Sequence, residues 1–75
     1  MMRLHQLPVG SKGRIVALRC ESDTIRTRLN ALGIVKGESV EMLKYTLAKN
    51  TYEVRVGQTR LALRKEEAEA VEVAA

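Results

Sequence analysis

Seventy-five residues lie near the lower size at which one hydrophobic core suffices, since a chain this short buries only about 60% of its unfolded surface. Hydrophobic residues make up 45%, but Phe and Trp are absent, so the core falls to Val, Ile, Leu, Ala and Met; the lone Cys20 cannot close an internal disulfide, and neither a signal peptide nor a membrane span of ~20 apolar residues is present. The net charge of +4 is uneven, twelve basic and five acidic residues over 1–64 against one and four over 65–75, and a basic body of this kind attracts phosphates, anionic lipid headgroups or acidic proteins. A soluble, single-domain protein of a reducing cytoplasm is expected.

Residues 1–10 place Leu4, Leu7 and Val9 around Pro8, a pattern that suits a lid over an open barrel end. A turn is expected over 10–13, between two glycines. Residues 14–20 (RIVALRC) are rich in β-branched side chains and apolar on both alternating sets, the signature of a strand covered on both sides.

Residues 23–38 hold a helix, its stop and a tight turn. Ile25, Leu29 and Leu32 recur at i, i+4 and i+7 and form one stripe. Ser22 or Asp23 stands at the N-cap. Gly33 occupies the position where a helix ends in the left-handed region, which places Ile34 against Leu29. The tetrapeptide 35–38 (VKGE) fits a type II turn with Gly37 at its third position. Arg26, Thr27 and Asn30 point away from the stripe, and Arg28 sits at its edge.

In residues 39–47 (SVEMLKYTL) the apolar phase runs through Val40 and Met42, then through Leu43, Tyr45 and Leu47. That switch predicts a bulge or sharp bend between Met42 and Leu43. Asn50 takes positive φ in the loop over 48–51. Residues 52–56 (YEVRV) alternate cleanly, Gly57-Gln58 makes a two-residue hairpin of type II′ or I′, and 59–64 (TRLALR) return with Leu61 and Leu63 inward. Residues 65–70 (KEEAEA) read as a solvated helical turn with Glu66 and Glu67 at its N-terminal end. Residues 71–73 give a last short strand. Four or five short strands with one helix inserted after the first long one describe a mainly β, SH3-like, partly open barrel; a sandwich needs more strands.

Three stretches, LHQLPVGSKGRIVAL (4–18), IRTRLNALGIVKG (25–37) and YEVRVGQTRLALRKEEAEAVEV (52–73), come in the order found in FeoA proteins, and the chain resembles that family from about residue 4 to 73. Related domains also end larger iron-dependent repressors; these 75 residues hold no DNA-binding helix-turn-helix ahead of the domain, and the free-standing form is expected. The chain departs from the family's pattern in two places: Lys36 stands where Pro is common before the turn glycine, and the loop over 46–51 has no Pro. The resemblance implies a small cytoplasmic accessory of bacterial ferrous iron uptake, peripheral to the inner membrane through its partner, a membrane GTPase iron transporter of the FeoB type. It implies no catalysis, cofactor or metal site.

The residues themselves show no P-loop and no nucleophile motif, and His5 and Cys20, fifteen apart, lack the companions of a metal site. His5 reads as a surface residue and Cys20 as a small hydrophobe ending a strand. The partner-binding candidates are Arg26, Thr27, Arg28, Asn30 and Lys36 around the helix, with Tyr45 and Leu47 on the barrel rim. The competing reading makes Arg26 a solvated residue, pairs Arg28 with a barrel carboxylate and places the tyrosine and leucine in the core or rim. A nucleic-acid-binding barrel is the alternative function, weakened by having only two aromatics, Tyr45 and Tyr52. Self-association through an open barrel edge is a third.

Overall fold

The structure, a computed structural model, describes all 75 residues. Its elements run β1 (Met2–Arg3), a 3₁₀ turn (Leu4–Gln6), β2 (Lys12–Leu18), α1 (Asp23–Ala31), β3 (Ser39–Thr46), β4 (Thr51–Val56), β5 (Thr59–Arg64), α2 (Lys65–Glu69) and β6 (Val71–Ala74). The six strands form one antiparallel sheet in the order β1-β6-β2-β3-β4-β5. It stays open between β1 and β5. Its inward residues, among them Ile15, Val40, Met42, Val54, Leu63, Val71 and Val73, meet Leu4, Leu29, Ile34 and Ala68 in one buried cluster, so the sheet curls around a single core. This is the expected partly open, SH3-like barrel.

The helix insert follows from its residues. The Ser22 hydroxyl accepts from the Ile25 amide at 3.3 Å, satisfying one of the free amides of the first turn. At the other end Gly33, φ +89°, donates to Asn30 O while Ile34 donates to Leu29 O, both at 3.0 Å. These two bonds are a Schellman stop. Leu29 is fully buried, whereas Ile25 and Leu32 are half-buried against the core. The turn over 35–38 is closed by the Glu38 amide on Val35 O, with Gly37 at positive φ.

Several boundaries differ from the sequence expectation. The first long strand starts at Lys12, and the turn falls at 8–11, closed by Ser11 N–H on Pro8 O. Gly13 is therefore a strand residue. Its lack of a side chain admits the neighbouring strand, because a Cβ there would stand 3.0 Å from Ala74 O. Residues 1–10 are a two-residue strand and a 3₁₀ turn that bury Leu4 and Leu7 but leave Val9 exposed. The strand count is six, since β1 pairs with β6 far along the chain, Met2 opposite Val73.

The bulge lies where the phase switch predicts. Met42 pairs with Val54 and Lys44 with Glu53, so Leu43 is the extra residue. Leu43 is therefore not one of an inward set, and Tyr45, opposite Tyr52, returns to the core side. Leu47 falls beyond the strand. Gly57 alone of its hairpin pair has positive φ, +61°, which selects type II′ over I′. Residues 65–70 are not simply solvated: Glu67, Ala68 and Ala70 are buried.

Candidate partner-docking surface

The candidates of the sequence separate into two regions. On α1, Thr27 and Asn30 are exposed, but both arginines are engaged within the molecule. Arg26 Nη2 donates to Cys20 O at 3.0 Å and ties the helix to the loop that leads into it. Arg28 forms an ion pair with Glu67 of α2, rather than with a barrel strand. Glu67 is only 4% exposed, and its second oxygen accepts the Arg64 amide at 2.9 Å, capping α2. Lys36 stands exposed at the second position of the turn that follows the helix.

Tyr45 and Leu47 lie elsewhere: Tyr45 lines an open groove of about 350 Å³, and Leu47 stands exposed just past the end of β3. The Tyr45 ring packs on Tyr52 with centroids 4.7 Å apart and planes tilted by 39°, and its hydroxyl donates to Asn50 Oδ1 at 3.0 Å. His5 meets Tyr52 edge to face at 6.5 Å. Pro8, Val9 and Met42 complete the apolar lining. Val9 is 63% exposed, Leu47 79% and Tyr45 40%. No residue of α1 lines the groove that holds Tyr45.

His5, Pro8 and Val9 escape the sequence reading as parts of this surface. His5 is half-buried rather than a plain surface residue, and its Nδ1 is shielded from solvent with no hydrogen-bond partner. The run LHQLPV hinted that an apolar segment covers the barrel, but its contact with Tyr52 is a tertiary fact. Cys20 lies just past β2, half-buried against the core. No three side chains of the His, Cys, Asp or Glu type converge where a metal ion could be held, and no helix is long and apolar enough to cross a membrane.

The model of the FeoA domain matches residues 2–75. The chain belongs to the FeoA family. It is 36% identical to a FeoA of Stenotrophomonas maltophilia, crystallised with zinc and described as a prokaryotic SH3-domain protein. Coverage there is 99% of this chain and 91% of that one, with a TM-score of 0.84. It is 25% identical to an iron uptake regulatory protein (FeoA), covering 97% and 93% at a TM-score of 0.83. A manganese-dependent transcriptional repressor shares the fold alone: TM-score 0.91 at 15% identity, over 97% of this chain and 40% of the repressor. No curated protein matches the sequence. FeoA membership associates the chain with ferrous iron transport.

Proposed function

We propose that this chain is a cytoplasmic accessory of bacterial ferrous iron uptake, held peripheral to the inner membrane by a GTPase transporter of the FeoB type, whose nucleotide cycle or assembly it modulates. The observation that carries the reading is the FeoA match over residues 2–75. The Stenotrophomonas relative has itself been put forward as a ferrous iron transport activating factor. In this reading the chain has no catalytic step and no metal of its own; it acts by binding.

Within that reading the groove lined by Tyr45, with the exposed Leu47 that follows β3, is the favoured docking surface. Exposed apolar side chains next to an aromatic pair have the character of interface anchors. The face of α1 is a weaker candidate than its sequence suggests, since Arg26 and Arg28 already serve internal contacts; Thr27, Asn30 and Lys36 remain as its free polar groups. The nucleic-acid alternative loses support from the same geometry, because the only two tyrosines pack on each other at the core side of the sheet. The test is co-purification of the chain with the GTPase from membranes, with GTP turnover measured with and without it. Association that changes turnover supports the proposal; no association in any nucleotide state overturns it.

A further inference from the structure

The outward face of β2–β5 carries charge in an ordered way. Strand register sets Lys12, Glu41, Arg55 and Arg60 in one row across four strands. The neighbouring positions add Arg14, opposite Ser39, and Lys44, opposite Glu53. Five cations thus share the face with two carboxylates. Arg55 bridges Glu41 at 3.3 Å, and Lys44 and Arg60 bridge Glu53 at 3.2 and 3.3 Å. The carboxylate side chains are 23–24% exposed and the cations above them 48–60%, so the positive heads stand outermost. Lys12 and Arg14 have no carboxylate partner; Arg14 instead donates to Gly37 O at 2.8 Å. The exposed acids, Glu21, Asp23, Glu38, Glu66 and Glu69, all lie outside the strands, although Glu38 reaches the rim of this face at Gly57.

We infer that this face is a phosphate-binding surface that seats the molecule on an anionic lipid bilayer. Between Lys12 and Arg55 lies a cleft of about 150 Å³, also lined by Ser39, Glu41 and Gly57; Glu41 is already paired with Arg55, so the unpaired Lys12 is the cation the cleft leaves free for a phosphate. The face bears no aromatic side chain, since the bulge at Leu43 keeps Tyr45 with Tyr52 on the other side. A protein interface wants a buried aromatic or apolar anchor, and single-stranded nucleic acid wants stacking platforms. A spread of half-exposed cations with no aromatic among them suits a fluid array of headgroups, each charge near the surface adding attraction. Because the Tyr45 groove opens on the other side of the sheet, the bilayer and a protein partner would not compete for it.

The test needs no GTPase. Co-sedimentation is measured with vesicles of phosphatidylcholine alone and of phosphatidylcholine with about one-third phosphatidylglycerol. The full chain is compared with the triple variant Lys12→Gln, Lys44→Gln, Arg60→Gln, and with Lys36→Gln, Lys49→Gln, Lys65→Gln, which removes the same charge away from the face; circular dichroism melts confirm that both fold. The expected result is retention by anionic vesicles only, weakening as salt rises from about 50 to 200 mM, with the face triple losing on the order of 100-fold in partitioning and the other triple far less. Equal binding to neutral vesicles, no retention by anionic ones, equal losses in both triples, or tighter binding to an oligonucleotide in the same salt would each overturn the inference.

Discussion

Arg28 on α1 and Glu67 on α2, thirty-nine residues apart, form an ion pair in which the carboxylate is buried and the guanidinium is half-exposed. The pair joins the inserted helix to the short C-terminal one. Because Glu67 also caps α2 through the Arg64 amide, one side chain fixes two elements.

Glu67→Ala removes both contacts, and the expected cost is about 1–3 kcal/mol. Glu67→Gln keeps an acceptor for the Arg64 amide and costs less. The arginine remains largely solvated, so a double-mutant cycle with Arg28→Ala should return a coupling of about 1 kcal/mol or below. Urea denaturation of the four proteins measures all of these terms.

Gly33→Ala forces a Cβ into the left-handed region, although nothing stands within 4 Å of it. The cost is therefore conformational, about 1–2 kcal/mol, which lowers Tm by roughly 4–8 °C per kcal/mol in a chain of this size. A thermal melt decides it. A loss far above that range would show that the Schellman stop also positions Ile34 in the core.

Lys44, by its hydrogen bond and then its charge, and Arg60 beside it hold the Glu53 carboxyl below the usual carboxylate range. A lowered folded-state value means that the group binds its proton more readily when unfolded. Its stabilising contribution is then present above the unfolded value, about 4.3, and is lost as pH falls through the lower folded value. The stability difference between the parent chain and Glu53→Gln should be steady near neutrality and shrink on acidification. Denaturation curves across acid pH check the direction; a difference that grows on acidification would contradict it.

Val9→Asp and Leu47→Asp place charges on side chains that are mostly exposed, so stability should change by no more than ~0.5 kcal/mol. If the transporter docks on the groove that Val9 lines and on the exposed Leu47 after β3, each should weaken association about tenfold or more. Thr27→Asp with Asn30→Asp on α1 should leave it nearly unchanged. The reverse pattern in a pull-down titration would move the interface to the helix.

The local devices of the fold were readable because each rests on neighbours in sequence. Gly33 followed by Ile34 specifies a helix stop, Gly57-Gln58 a hairpin, and the Met42–Leu43 phase switch a bulge, and all three stand where expected. What depends on distant partners was not readable. Met2–Arg3 is too short for a periodic signal and becomes a strand only against β6. Gly13 resembles a turn glycine until Ala74 is placed beside it. Glu67 looks solvated in KEEAEA because nothing nearby reveals that Arg28 will meet it. The candidate surface divides in the same way: Tyr45 is legible from the strand, whereas His5, Pro8 and Val9 join it only through the fold.

Strand β6, the last of the six in chain order, lies inside the sheet between β1 and β2. During synthesis, then, the ribosome releases two strands whose facing edges have no partner until residues 71–74 emerge. A nascent or prematurely ended chain carries those open edges into the cell, where they can pair with other chains. Native pairing of β1 and of the free edge of β2 waits for residues 71–74: only a chain translated through Ala74 can fill the gap between those two strands.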